Sequence, residues 1–455
     1  MSAHSSDGAE RPDAAFALLH ELKHFVAQAH LKSTPNHIGT LHRFHDGSYI
    51  APTDSDVFKD QRVSEFIRRS AKLIDVLAEA GRLRTGPAGA SVDGVGLERI
   101  LIAYELASRY SEQDNTEWQT GSSEWLQDIS NILSFFSQMA QRRYEKSSAQ
   151  MTVAYYPHSA PAGIPYGQLG KPLLDEYKAL LRLCRDAHTV LVVHRACVIS
   201  DLITGSPSKD VGRDIFDIPP IPLRLEHLRD LPSQHGVPPV VFNLNTNGSM
   251  EILARSELAF RRVNNIWRYT NLRGALNAIK TELNTVASDN SLIAHNFLAL
   301  ALDLADRGEG ALPFLCDEPS TEILNELLDS QDGVIRGLTG LPYQELAART
   351  RFSYLVGRQE LSLGKAPYRQ LSSLLRDVCS IDGATVFSYK GDLLGFGCIV
   401  KLSASLEAKR IAPRQEGARS AAAKAISRHG IAIKVSTDGD ATLFLRDVGE
   451  WGTFC

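Results

Sequence analysis

Three groups of residues near the C-terminus have types and spacing that could do chemistry. Asp382-Gly383-Ala384 puts a carboxylate directly before a β-branched and aromatic run, Thr385-Val386-Phe387. A carboxylate there can accept a hydroxyl proton or hold a divalent metal, although an Asp-Gly pair is by itself most often a turn. Gly417-Ala418-Arg419-Ser420 opens an alanine-rich run after Pro413. A helix begun by glycine leaves backbone N–H groups without partners, and these favour an anion. The third group, Val435-Ser436-Thr437-Asp438, places a hydroxyl and a carboxylate just past an apolar strand pattern.

The elements that must position these groups can be read from the same stretch. A helix over Tyr368 to Val378 delivers the chain to Asp382, and Thr385 to Phe387 has the composition of a buried strand. The Lys390-Gly391-Asp392 turn leads back through Leu393 to Val400, so the two runs predict a hairpin. The glycines of the return strand would allow a backbone or a flat ligand to come close. An alanine-rich helix then runs to Ile426, and Ile431 to Val435 and Ala441 to Leu445 predict a second hairpin across Asp438-Gly439. The tail Trp451 to Cys455 is expected to pack back on this region.

In order and approximate spacing these residues resemble the diadenylate cyclase (DAC) domain family, which condenses two ATP molecules into cyclic di-AMP. Asp382-Gly383-Ala384 matches the family's Asp-Gly-Ala signature. The resemblance implies that Asp382 positions a divalent metal, Mg2+ or Mn2+, and activates a ribose hydroxyl. The family's second signature, Gly-Thr-Arg-His-Arg at a helix start, is represented by Gly417-Ala418-Arg419-Ser420-Ala421-Ala422, in which the glycine and first arginine remain. Ser436 and Asp438 fall where the family has a serine and a carboxylate, which implies Asp438 as a second metal ligand. Gly383, Ala384, Val400, Gly417, Ala418, Arg419, Ser420 and Ser436 are then the nucleotide-binding residues, with Val400 lining the base. The likeness covers roughly the last quarter of the chain.

The departures set the functional expectation. Ser420 and Ala421 stand where the family has a histidine and a second arginine, groups that serve the metal and the triphosphate. A serine donates one neutral hydrogen bond, whereas arginine offers a charged planar fork. The expectation is therefore an adenine-nucleotide sensor that binds ATP or a cyclic dinucleotide without turnover. Two alternatives stand beside it: an active diadenylate cyclase working as two facing chains, and a structural domain with no ligand. Lys424, Arg428 and His429 lie farther along the helix and could compensate, but Lys424 is more than a turn from Arg419 and the later pair lie deeper still.

Composition bounds the other classes. The 455 residues suggest about three domains, and a net charge of -4 gives no basic field for a nucleic-acid polymer. The six cysteines, Cys184, Cys197, Cys316, Cys379, Cys398 and Cys455, show no CxxC spacing and read as buried free thiols. The paired histidines His20 with His24 and His42 with His45 have metal-like spacing but lack cysteine or carboxylate partners. No apolar run reaches membrane-spanning length and the first residues carry no signal pattern, so a cytoplasmic protein is expected.

The overall expectation is a multidomain α/β protein: a helical N-terminal region over 1–150, an α/β middle domain over 151–310, and a DAC-like mixed sheet with flanking helices over 311–455. In the first region, helices are predicted over Asp13 to Leu31, Asp56 to Leu83, Leu97 to Tyr110 and Ser123 to Tyr144, with Gly86 to Gly96 a linker. In the second, Lys171 to Asp186 and two long segments, Asn271 to Val286 and Asn290 to Ala305, read as helices. Thr189 to Val193 reads as a strand, Pro239 to Leu244 and Met250 to Leu253 as a hairpin, and Ile203 to Gln234 as a surface loop with short helices. A segment preceding Thr189 echoes the one preceding Asp382: Pro165-Tyr166-Gly167-Gln168-Leu169 against Pro367-Tyr368-Arg369-Gln370-Leu371. A later match, Leu180-Leu181-Arg182 against Leu374-Leu375-Arg376, places Ala187-His188-Thr189 near Asp382-Gly383-Ala384. In the third, Glu322 to Ser330 and Tyr343 to Arg349 read as helices and Arg351 to Val356 as a strand.

Overall fold

The structure, a computed structural model, describes residues 95–111, 122–141, 149–161, 188–205, 218–246, 248–263, 266–283, 290–317, 375–401, 417–446 and 448–455. It also describes short pieces at 42–43, 49–50, 65–66, 69–70, 73, 83–86, 89–92, 143–144, 147–148, 167–169 and 184. The predicted helices over 13–31, 322–330 and 343–349 and the strand over 351–356 lie outside these residues, as does nearly all of the helix over 171–186. The fold is mixed α/β with two mixed sheets and several helices. It packs as two compact units, Met1–Lys209 with Glu226–Thr270, and Asp210–Leu225 with Asn271–Cys455. The two long helices grouped by sequence with the middle region thus belong to the second unit.

The first unit opens with α1 (Leu97–Ser111) and α2 (Ser122–Ala140). Trp125, Ile129, Ile132, Leu133 and Phe136 of α2 are buried and recur at helical spacing along one face. Glu65, Phe66, Arg69, Ser70 and Leu73 are helical, and Phe66 stacks on Tyr269 with ring centroids 4.6 Å apart. Two expectations need correction. The segment read as a linker, Gly86 to Gly96, belongs to three short paired strands, Leu83–Gly86, Gly89–Val92 and Val95–Gly96, the first of which begins at Leu83, where the helix from Asp56 was expected to end. The end of the helix expected to reach Tyr144 is instead a short strand, Arg143–Tyr144, paired with Ser147–Ser148. Strands this short cannot show a period of two in sequence.

The unit's sheet uses β1 (Met151–Tyr155), β2 (Thr189–His194), β3 (Val198–Thr204), β4 (Val240–Leu244), β5 (Met250–Ala254), β6 (Glu257–Val263) and β7 (Ile266–Tyr269). With the short strand Gly167–Gln168 at its edge, the order is β7-β6-β5-β4-β1-β2-β3-Gly167–Gln168. β1 runs parallel to β2 and antiparallel to β4. The predicted β4–β5 hairpin is present in register, with Val240 opposite Ala254. Glu251 is fully buried, and its carboxylate accepts from Asn243 Nδ2 at 2.9 Å and Asn245 Nδ2 at 2.8 Å, with Arg261 Nε 3.8 Å away. Asp128 of α2 accepts from the Tyr155 hydroxyl at 2.8 Å and the Ala196 amide at 3.0 Å, tying α2 to the turn after β2.

The second unit repeats this plan. A packed helix pair, α3 (Leu272–Leu283) and α4 (Asn290–Arg307), precedes β8 (Leu312–Cys316), β9 (Ala384–Ser388), β10 (Leu393–Cys398), α5 (Ala418–Ile426), β11 (Gly430–Val435), β12 (Ala441–Leu445) and β13 (Gly449–Thr453). The sheet order is β10-β9-β8-β11-β12-β13. β8 is parallel to β9 and antiparallel to β11, as β1 is to β2 and β4, and each sheet continues through a hairpin on one side and a meander on the other. Two residues that the sequence echo aligns stand immediately before equivalent strands, His188 before β2 and Gly383 before β9.

β8 was not legible as a strand because Pro313 lies in its middle, and a proline lacks the donor a central strand needs. The structure resolves the conflict. β8 pairs with β11 over Phe314–Cys316 and again at Ala311 with Val435, so Leu312 and Pro313 fall in a gap of that ladder. The core on one side of this sheet contains Leu312, Phe314, Ala384, Val386 and Ala432 beneath Ala423 and Ile426 of α5. The tail packs back as expected, with Phe454 and Cys455 buried and the Phe454 carbonyl accepting from the Asn271 amide at the start of α3. Among the described residues no helix is long and apolar enough to cross a membrane.

Candidate functional site

Asp382 follows the helical residues Leu375 to Cys379, whose end is closed by the Ser380 amide donating to the Arg376 carbonyl at 2.9 Å. That segment is anchored to α4 through Arg376 with Asp303 at 3.8 Å and Asp377 with Arg307 at 3.5 Å. The Asp382 side chain is 94% exposed and accepts from the Gly383 amide at 3.1 Å. Gly383 has φ +110, and a Cβ there would lie 2.7 Å from the Gly397 carbonyl carbon and 2.8 Å from the Cys398 nitrogen. The glycine of the Asp-Gly-Ala signature is therefore dictated by the close approach of β10, whose own Gly397 has φ +62. Ala384, the third signature residue, is buried as the first residue of β9.

α5 begins as the sequence predicts. Gly417 is extended at the cap, φ -63 and ψ 151, and has no side chain to satisfy the helix start. Its carbonyl accepts from the Ser420 amide at 2.9 Å and the Ala421 amide at 3.2 Å. The amides of Ala418 and Arg419 precede the first intrahelical bond and point out of the helix end. The small side chains of the helix let it lie close on the sheet, with Ala423 and Ile426 buried and Ala422 packed against the same core.

The structure brings the two distant signatures together. Arg419 Nη2 lies 3.7 Å from Asp382 Oδ1, and the Arg419 side chain is 36% exposed. Its guanidinium rests against Gly310, in the connection from α4 to β8, where any Cβ would run into it. Lys434 of β11 also reaches the helix start: its Nζ donates to Ser420 Oγ at 3.0 Å. The sequence reading missed Lys434. The signal was the alternation in β11, where Ile431, Ile433 and Val435 share one face and Ala432 and Lys434 the other. Ala432 lies in the core under α5, so Lys434, two residues on, projects toward the start of that helix.

The remaining candidates have other surroundings. Ser436 shapes the β11–β12 turn: its hydroxyl accepts from the Asp438 amide at 3.3 Å and its amide donates to the Asp440 carbonyl at 2.8 Å. A Cβ on Gly308 would lie 3.1 Å from the Thr437 carbonyl, so this turn sits against the α4–β8 connection, beside the Gly310 that Arg419 covers. Asp438 is exposed at the turn. Val400 is partly buried against the core that α5 covers. Among the described residues no group of three or more His, Cys, Asp or Glu side chains is placed to hold a metal ion. The arrangement gives two cations, Arg419 and Lys434, at one helix start, with one exposed carboxylate in contact with the arginine. Compared with known proteins, the sequence matches no family model and no curated relative.

Proposed function

We propose that the second unit binds an adenine nucleotide, ATP or a cyclic dinucleotide, at the end of the sheet where Asp382, Arg419, Ser420 and Lys434 meet, and that the protein acts as a nucleotide sensor. The observation that carries this reading is the convergence of Arg419 and Lys434 on the first turn of α5, with Nζ of Lys434 on Ser420 and Nη2 of Arg419 beside Asp382. Cations flanking outward-pointing helix amides form a phosphate-binding arrangement. The adenine part of the reading comes from the resemblance of Asp382-Gly383-Ala384 and Gly417-Ala418-Arg419 to the diadenylate cyclase signatures. In this reading Asp382 accepts a ribose hydroxyl, and Arg419 and the Ala418 amide hold phosphate.

Calorimetric titration with ATP and with cyclic di-AMP tests it. Arg419→Ala should weaken binding roughly tenfold to a hundredfold, the loss of a charge-assisted contact of about 1.5–3 kcal/mol, without unfolding the protein. If neither nucleotide binds at millimolar concentration, or if the variant binds as well as the wild type, the reading is wrong. Incubation with ATP and Mn2+ should yield no cyclic di-AMP, because Ser420 and Ala421 lack the charge of the family's histidine and arginine. Repeated turnover that Asp382→Asn abolishes would show an active cyclase instead.

A further inference from the structure

Resting on that nucleotide-binding reading, we propose that this site holds its phosphate ester by protein charge alone, with Lys434 and Arg419 as the counter-ions and no divalent cation. The metal implied by the family resemblance does not fit the residues present. A magnesium or manganese ion bound with a nucleotide needs one or two carboxylates free to ligate it. Here the carboxylate of the first signature, Asp382, already has a guanidinium at 3.7 Å. The second expected carboxylate, Asp438, stands exposed on the β11–β12 turn, where its backbone amide donates to Ser436 Oγ. Among the described residues no group of three or more His, Cys, Asp or Glu side chains is placed to hold a metal ion.

In place of a metal-ligand set, the same end carries two fixed positive charges. Lys434 is delivered by a strand and pinned at 3.0 Å to Ser420, the residue that stands where the family has its metal-serving histidine. An ammonium at that point repels a divalent cation and attracts the phosphate oxygens the cation would otherwise neutralise. The ligand class this suits is a phosphodiester or phosphate monoester of low charge, such as a cyclic dinucleotide or a nucleoside monophosphate. A triphosphate normally travels with magnesium, and it brings more negative charge than these two cations neutralise.

The test is calorimetric titration of the full chain with cyclic di-AMP, AMP and ATP, each in excess EDTA and again in millimolar Mn2+. Cyclic di-AMP or AMP should bind within about twofold of the same affinity in both buffers, and rising salt should weaken it, as expected for exposed charges. Lys434→Gln, which keeps most of the stem, should lose at least tenfold in EDTA while melting within a few degrees of the wild type. Binding that disappears in EDTA and returns with Mn2+ would overturn the metal-free inference and leave the nucleotide reading standing. Metal-independent binding that Lys434→Gln does not weaken would remove Lys434 from the site and overturn the inference as well. No binding of any of the three ligands in either buffer would reject the nucleotide reading and this inference with it.

Discussion

Replacing Gly383 by alanine separates what the Asp-Gly-Ala stretch does for the fold from what it does for a ligand. At φ +110 an L-residue is strained, and the new methyl would lie 2.7–2.9 Å from three backbone atoms of Gly397 and Cys398. Those atoms belong to β10, which is paired to β9 and cannot swing away as a side chain would. Backbone strain costs about 1–3 kcal/mol and overpacking about as much again, so Gly383→Ala should destabilise the second unit by about 2–6 kcal/mol. Gly397→Ala, at φ +62, meets the Ile381 Cγ2 methyl at 3.3 Å and the Asp382 carbonyl oxygen at an ordinary 3.7 Å, and should cost about 1–2 kcal/mol. Asp382→Ala changes a side chain that is 94% exposed and should stay within about 0.5 kcal/mol of wild type. Urea unfolding followed by circular dichroism gives the ordering directly. An unchanged unfolding midpoint for Gly383→Ala, or a loss for Asp382→Ala as large as that for Gly383→Ala, would refute the reasoning.

Glu251→Ala takes the carboxylate from buried Asn243, from half-buried Asn245 and from the Arg261 guanidinium, and should destabilise the first unit by about 3–5 kcal/mol, read from the same urea curves. His194 is 1% exposed, and burial holds its imidazole below the ordinary range. The unfolded chain therefore takes up the proton more readily, so the stability associated with neutral His194 is complete above about pH 6.5 and is lost as pH falls toward the depressed folded value. Asp128, held above the usual carboxylate range by burial, acts with the opposite sign at lower pH, so the comparison is with His194→Phe, whose melting temperature should fall less between pH 7.5 and pH 5.5. If wild type and variant show the same acid slope, His194 is not the group responsible. All six cysteines are buried and free, and burial pushes the thiols of Cys197, Cys379 and Cys398 up to about 12. An aromatic disulfide reagent at pH 8 should label less than one thiol per native chain and all six in denaturant; rapid labelling of native protein would contradict the packing.

The sequence alone determined the local grammar of the second unit. The β9–β10 hairpin, the glycine-begun α5 and the β11–β12 hairpin each follow from short-range preferences, since turn glycines, β-branched runs and alanines act within a few residues. It also determined the inward face of α2, because a helical period repeats over enough residues to be counted. The short strands 83–96 and 143–148 offered no such repeat. β8 was hidden by Pro313, a residue tolerable only because the β11 ladder has a gap at that point, and a gap in pairing is a property of two strands. The tertiary structure also decided which charges meet. Arg419 and Asp382 are brought to 3.7 Å only because β9 and α5 are both aligned by β8 and β11, and Lys434 reaches Ser420 only because β11 lies under α5. Periodicity states which face of a strand a lysine occupies; the helix packed on that face determines what the lysine touches.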